Sequence, residues 1–229
     1  MADAGTNAVT TDAASGEGGA GCAAANVKLC DDFEGVAPNA AGSAWTFVMN
    51  GGYTIAVDTT VAHSGKNSVH ATFGAAAGYA YMSETKTFPA TDWWGRAWMR
   101  FMAPGGGHQV FAGAISMTPF TQQGEMMRYL NDNGGNTFSM NIRSTDKVAN
   151  STAAIPVGTW NCYEWHHTAT AATLYMDGKM VLAVQGAGWT GLAAPYVAMV
   201  LGAERFGGGK TGDVWIDDVA AGSTQIGCN

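Results

Sequence analysis

Short runs of alternating apolar and polar residues, bounded by Gly, Pro, Asn or Asp, recur through most of this chain and limit what it can fold into. Alternation with a period of two residues is typical of β-strands that bury one face. No segment shows the pattern of a long helix. The sequence therefore predicts an all-β sandwich of two stacked antiparallel sheets. We predict strands at 45–49, 53–57, 68–73, 79–84, 95–102, 108–117, 126–130, 137–142, 160–168, 172–176, 179–184, 196–202 and 213–220.

The first 26 residues differ from the rest because they contain no Leu, Ile, Phe, Trp, Tyr, Lys or Arg. Such a segment buries too little apolar surface to offset its conformational entropy, so we predict a flexible tether at 1–26 and one sandwich domain at 27–229. The tether resembles the spacer after the lipidated cysteine of bacterial surface lipoproteins. We therefore expect an extracellular or bacterial cell-surface location.

Composition excludes several classes of function. The net charge is −7 and the 11 Lys and Arg residues are scattered, which argues against a nucleic-acid partner. The sequence contains no run of eighteen apolar residues, so it predicts no transmembrane helix. The sequence also lacks the motifs of nucleotide-binding loops, serine esterases and zinc proteases. We expect a monomer.

The four cysteines are even in number and lack the spacing of a zinc site, which favours disulfides. We expect Cys22 to pair with Cys30 and Cys162 to pair with Cys228. The alternative is a set of buried free thiols.

Three acidic or polar segments far apart in the chain indicate a cation site with oxygen ligands. They are residues 31–34 (Asp-Asp-Phe-Glu), 63–68 (His-Ser-Gly-Lys-Asn-Ser) and 214–219 (Val-Trp-Ile-Asp-Asp-Val). Calcium prefers carboxylate, amide, hydroxyl and carbonyl oxygens, and acids within apolar strands need compensation. The alternative is an Asx-type turn beside solvated acids.

The same segments belong to an ordered set of landmarks. The others are residues 57–62, Arg96-Ala97-Trp98-Met99-Arg100, Cys162-Tyr163-Glu164-Trp165-His166 and Ile226-Gly227-Cys228. From about residue 27 to 228 the chain resembles the cellulose-induced secreted protein family, whose concanavalin-like jelly roll is related to glucuronan and alginate lyases. The resemblance implies a structural Ca²⁺ held by Glu34, Ser64, Asn67 and Asp217, with Asp218 as an alternative ligand.

The resemblance also implies a polysaccharide partner, a plant or algal cell-wall glycan, and β-elimination on uronic-acid units. That chemistry needs a base active near neutrality and cationic or amide donors around the developing negative charge. The catalytic candidates are His108, Arg128, Tyr129 and Arg143, and the substrate-binding candidates are Gln109, Asn141, Glu204 and Trp94. Because side chains alternate along strands, we expect that not all of them share one groove.

The candidates also have structural explanations. His108 follows three glycines, which is typical of an exposed turn. Large aromatic residues usually fill a sandwich core. The chain also departs from the family pattern. Met126 and Phe206 occupy positions where related sequences carry His and Tyr. Two proton carriers are thereby lost, which favours the alternative of a non-catalytic carbohydrate-binding module. An adhesion or structural domain is a third possibility.

Overall fold

The computed structural model describes residues 27–39, 45–84, 91–102, 108–118, 120, 126–131, 136–207 and 209–228, so the predicted tether at 1–26 lies outside the described residues. Fifteen strands form the fold within these ranges. In chain order they are β1 (Val27–Asp31), β2 (Thr46–Asn50), β3 (Thr54–Asp58), β4 (Ser68–Phe73), β5 (Gly78–Glu84), β6 (Trp93–Met102), β7 (Gln109–Ile115), β8 (Met126–Asn131), β9 (Thr137–Ile142), β10 (Lys147–Ala154), β11 (Trp160–His167), β12 (Ala171–Met176), β13 (Lys179–Gln185), β14 (Ala198–Arg205) and β15 (Gly212–Gly222). A short 3₁₀ segment at Ala187–Ala193 precedes β14.

The strands form two antiparallel sheets, which confirms the predicted jelly-roll sandwich. The eight-stranded sheet has the order β13-β12-β11-β6-β15-β4-β3, and β1 also pairs with β15. The seven-stranded sheet has the order β10-β9-β8-β7-β14-β5-β2. Because β1 pairs with β15, the first and last strands lie side by side. This pairing brings the acidic segments at the two ends of the domain together.

Large aromatic side chains fill the space between the sheets. Trp93 and Trp165 from the eight-stranded sheet are fully buried and meet edge to face, with ring centroids 6.2 Å apart. Phe138 of the seven-stranded sheet packs against Tyr163 of the other sheet at 5.6 Å. Burying one such side chain contributes roughly 1.5 to 3 kcal/mol. The apolar positions of the predicted alternation therefore form this core.

The sequence did not predict strands β1 and β10. β10 has the sequence KVANSTAA and lies at the edge of its sheet, where its residues are only half-buried or exposed. An edge strand of this kind has no strong apolar alternation to reveal it.

A disulfide joins Cys162 to Cys228, as predicted, with their Cα atoms 5.8 Å apart. Beside it, the buried carboxylate of Glu164 accepts hydrogen bonds from Gln225 Nε2 and from the backbone N–H groups of Ile226 and Gly227, each 2.8 Å long. These contacts hold the C-terminal segment against β11. Cys30 is also disulfide-bonded, and its predicted partner Cys22 lies outside the described residues.

His167 makes the stability of the domain sensitive to acid. Its side chain is buried beside Trp93 and Tyr196, and one ring nitrogen lies 3.0 Å from the carbonyl oxygen of Leu192. Burial lowers the pKa of His167 from 6.5 to about 4. Between these values the unfolded chain binds a proton that the folded protein does not. Stability is therefore complete above pH 6.5 and falls as the pH approaches 4.

We expect the free energy of unfolding to drop by up to about 3 kcal/mol over this interval because of His167. Urea unfolding at pH 7 and at pH 4.5 measures the loss. His167→Phe should flatten the acid limb, whereas His166→Gln, at the half-exposed neighbour that pairs with Asp92, should leave it intact. A His167→Phe profile as steep as that of the wild type would contradict this assignment.

Candidate functional site

The outward face of the seven-stranded sheet carries a charged cluster, which we call the arginine face: Arg128, Arg143, Glu204 and Tyr81. Strand alternation puts these side chains there, because Tyr129 and Ala203, the neighbours of Arg128 and Glu204, belong to the core between the sheets. The ladder pairs Arg128 directly with Asn141 on β9. Arg143 follows β9, and its backbone N–H donates to the carbonyl of Met126 on β8.

Glu204 is the centre of this cluster. Its side chain is fully buried, and Oε2 accepts a hydrogen bond of 3.0 Å from the hydroxyl of Tyr81. The same oxygen lies 3.9 Å from a guanidinium nitrogen of Arg143. Burial and the nearby carboxylate raise the pKa of Tyr81 well above its ordinary value, so its hydroxyl remains protonated and acts as a donor.

Arg128 lies next to this group and is covered by an aromatic ring. Its guanidinium carbon lies 4.9 Å from the ring centroid of Phe206, and His108 packs edge-on against the same ring at 5.1 Å. Burial lowers the pKa of Arg128, the positive charge of Arg143 lowers it further, and Glu204 acts in the opposite direction. Arg128 Nε forms no hydrogen bond within the described part of the chain. This nitrogen is shielded from solvent.

A small apolar cluster borders the arginine face. Phe120 is buried against Tyr79 and Tyr81, with ring centroids 4.9 and 4.8 Å apart. The guanidinium of Arg143 lies 5.7 Å from the Phe120 ring. These rings cover the neighbouring part of the outward face and leave the two arginines at its polar side.

The predicted cation segments meet around the turn at 63–67. Glu34 Oε1 accepts hydrogen bonds of 2.7 Å from the backbone N–H groups of Lys66 and Asn67. The Asn67 side-chain amide donates to the carbonyl of Phe33, 3.0 Å away. A Cβ atom at Gly65 would collide with the Glu34 carboxylate, so only glycine allows this close approach.

The acids of β15 contact the other side of that turn. Asp217 Oδ2 accepts hydrogen bonds from the backbone N–H groups of His63 and Ser64, at 2.8 and 3.2 Å. The Ser64 hydroxyl donates to Asp218 Oδ1 at 2.9 Å, and His63 Nδ1 lies 2.6 Å from Asp218 Oδ2. All four predicted ligands thus lie on this turn or in direct contact with it.

The backbone around this turn is unusual. Phe33, Gly65 and Asp218 all have positive φ, and a register shift in the β15–β6 pairing follows Asp217. Strained residues of this kind persist where the surroundings hold them for function. Burial and the charge of Asp218 raise the pKa of Asp217 to about 7, although its oxygens accept hydrogen bonds from the backbone N–H groups of His63, Ser64 and Asp218. In the described ranges, no three His, Cys, Asp or Glu side chains come together as a metal-binding group.

Comparison with known families identifies the chain. The family model described as polysaccharide lyase-like, Cip1-like core domain, matches residues 32–224. The chain belongs to the Cip1-like family. The expected family is therefore confirmed.

Solved structures agree with this assignment. The cellulose induced protein Cip1 is 25% identical to this chain, with a TM-score of 0.71, and the match covers 88% of this chain and 100% of that one. The endo-β-1,4-glucuronan lyase of the fungus Trichoderma reesei has 13% identity, a TM-score of 0.59 and coverage of 80% and 92%. At that identity the likeness shows the fold alone. No curated protein matches the sequence.

In this Cip1-like protein, several of the predicted site residues lie together. The outward face carries four of them, Arg128, Arg143, Asn141 and Glu204. His108 contacts the Phe206 ring, and that ring covers the guanidinium of Arg128. The amide of Asn141 is already engaged, since it donates to Asp146 Oδ1 at 3.2 Å and to a backbone carbonyl.

Three predicted site residues lie elsewhere, which agrees with the expectation that the candidates do not all share one groove. Tyr129 alternates with Arg128 and is buried in the core, where its hydroxyl donates to the Thr173 carbonyl. Gln109 is buried, and its Oε1 accepts a bond of 3.4 Å from Arg205. Trp94 belongs to the eight-stranded sheet and stacks on His166 at 4.2 Å. None of the three lies on the arginine face.

Two residues of the face were not assigned a role there by the sequence. No sequence pattern links Tyr81 to its partner Glu204, which is 123 positions away. Phe206 stood out only as a departure from the family pattern. Its 45% exposure, directly over Arg128, shows that it forms part of the site surface.

In the described part of the chain, no helix is long and apolar enough to span a membrane.

Proposed function

We propose that this protein binds uronic-acid-containing polysaccharide at the arginine face and cleaves it by β-elimination. One observation carries the proposal: the guanidinium groups of Arg128 and Arg143 lie together on one outward face, beside the carboxylates of Glu204 and Asp146. Guanidinium groups bind carboxylates through paired N–H donors, so a uronate is the favoured ligand.

In the proposed reaction, Arg128 and Arg143 stabilise the charge that develops on the uronate carboxylate. His108 is the base and takes the proton from C5 of the sugar, since an imidazole nitrogen can accept a proton. The C5–H electron pair forms the C4–C5 double bond while the C4–O bond breaks, and solvent protonates the leaving oxygen. Glu204 and Tyr81 position Arg143.

A second function, non-catalytic glycan binding, is favoured by the neighbours of the arginines. Phe206 has no hydroxyl, and the Met126 sulfur contacts Arg143 Nη2 at 3.4 Å. Neither side chain can transfer a proton. Tyr81 keeps its proton because burial raises its pKa. This arrangement can bind an anionic sugar even where elimination does not occur.

We further propose one structural Ca²⁺, held by Glu34, Ser64, Asn67 and Asp217, with Asp218 as the alternative ligand. When bound, the ion would compensate the buried charge of Asp217 and join the turn at 63–67 to both terminal strands. We also propose that the protein works as a monomer outside the cell or at its surface, where plant or algal glycans are accessible.

Incubation with glucuronan, alginate and pectate should produce the ultraviolet absorbance of an unsaturated uronate with at least one of them. His108→Ala should lower that rate by about 10²- to 10⁴-fold, because general-base catalysis contributes this much. The matched control is His166→Ala, which removes a half-exposed histidine of the other sheet. If none of the three glycans yields product but at least one binds measurably, the protein is a binding module and the elimination proposal is wrong.

A further inference from the structure

A polar cleft opens on the outward face of the eight-stranded sheet, on the opposite side of the sandwich from the arginine face. Its volume is about 550 Å³, which is within the usual range for small-ligand sites. It lies over β3 and β4 beside residues 38–39 and 59–60. Its lining residues are Pro38, Asn39, Thr54, Ala56, Val57, Asp58, Thr59, Thr60 and His70.

The cleft exists because a ladder of stacked side chains ends at a small residue. The ladder is one row across four neighbouring strands and consists of Ala56, His70, Trp215 and Arg100. His70 stacks on Trp215 with ring centroids 4.2 Å apart and planes 5° apart, and Arg100 covers the other face of the indole at 5.5 Å. Ala56 is too small to cover the second face of His70. The imidazole therefore presents a flat face to the cleft.

Polar groups that suit sugar hydroxyls surround that flat face. Asp58 Oδ2 accepts hydrogen bonds from Trp215 Nε1 at 3.0 Å and from the Thr60 hydroxyl at 2.7 Å, so the carboxylate is fixed in place. The Thr54 hydroxyl lies on the same strand. Asn39 is held in the wall by its backbone N–H, which donates to the Val57 carbonyl at 2.9 Å. A flat ring beside fixed acceptors and hydroxyls is the usual chemistry of sugar recognition.

The charge of the cleft determines which sugar it can accept. His70 lies between two carboxylates, with Nε2 2.8 Å from Asp213 and Nδ1 3.7 Å from Asp58. Two carboxylates against one imidazole disfavour an anionic ligand. The arginine face differs, because it carries two guanidinium groups beside its carboxylates.

We propose that this cleft binds one neutral pyranose unit of a polysaccharide chain, with the sugar ring against His70 and its hydroxyls on Asp58 and Thr60. The protein then has two glycan surfaces on opposite sheets, one for neutral units and one for uronates. The inference does not rest on the proposed elimination, because the residues involved are different.

Nuclear magnetic resonance tests the cleft directly, because the Trp215 indole N–H is bonded to Asp58. Cellohexaose, xylohexaose and mannohexaose are titrated separately into ¹⁵N-labelled protein, and tetragalacturonate serves as the anionic comparison. We expect at least one neutral oligosaccharide to shift the Trp215 indole signal and saturate, and tetragalacturonate to leave it in place. No shift with any of the three neutral sugars, or an equal shift with tetragalacturonate, would overturn the proposal.

Ala56→Leu fills the cleft beside His70 without removing a polar group, and should weaken neutral-sugar binding at least about tenfold, or 1.4 kcal/mol. Ala183→Leu, at an exposed position on β13 of the same sheet, is the matched control and should bind like the wild type. Arg128→Ala should also leave this binding unchanged, which separates the two surfaces. Full affinity in Ala56→Leu would refute the assignment.

Discussion

Arg128→Ala is expected to lower the rate of elimination by about 10²- to 10³-fold, the usual loss when one preorganised donor is removed from a developing charge. Arg128 supplies a guanidinium whose Nε is unpartnered among the described residues, next to Arg143 on the same face. The initial rate of unsaturated-product formation measures the loss. If the protein binds without cleaving, the affinity for oligouronate is measured instead and should fall.

Two further variants make this prediction specific. Arg128→Lys keeps the positive charge but loses the fork of paired donors, so its rate should lie between those of the wild type and the alanine variant. Arg100→Ala removes a guanidinium from the opposite sheet, where it covers Trp215, and should retain full activity. Thermal melting of all variants identifies any loss that comes from unfolding. A folded Arg128→Ala variant with the wild-type rate would refute the role of the arginine face.

Removing calcium is expected to destabilise the domain strongly. A ligand present at 100 times its Kd adds about 2.7 kcal/mol to the free energy of unfolding, and at 1,000 times about 4.1 kcal/mol. For a domain of this size, a loss of 3 kcal/mol lowers Tm by roughly 6 to 12 °C. The melting temperature with millimolar calcium, compared with that in a chelator, measures the effect.

Asp217 carries the sharpest control for this site. Asp217→Asn should abolish the difference in Tm between calcium and chelator, because it removes a buried ligand carboxylate. Asp213→Asn changes a more exposed acid of the same strand and should keep the full response. Equal melting temperatures of the wild-type protein with and without calcium would contradict the structural cation.

The candidate residues could be named from the sequence, but their grouping could not be predicted. The family resemblance implied uronate chemistry, and an imidazole, two guanidinium groups and a carboxylate were candidates for it. Alternation within one strand also predicted that some candidates would lie apart, as Arg128 and Tyr129 do. No local pattern showed that Tyr81 bonds Glu204, because that contact depends on the pairing of β5 with β14.

The covering of Arg128 is likewise a tertiary property. Phe206 follows the last residue of β14, and its position over Arg128 requires β14, β7 and β8 to lie side by side. The cleft at His70 depends in the same way on a row of residues from four strands. Sequence distance carries no information about either contact.

The sequence by itself determined the all-β class and the family, because these depend on local alternation and ordered motifs. The expected Cys162–Cys228 pairing needed the structure for its confirmation, because a cysteine count does not determine connectivity. Only the tertiary structure decided which polar residues meet on one face. Strand order and register, which are set by packing of the two sheets around one core, determine which side chains become neighbours. A slip of one residue in register would move Arg128 into the core and Tyr129 to the surface.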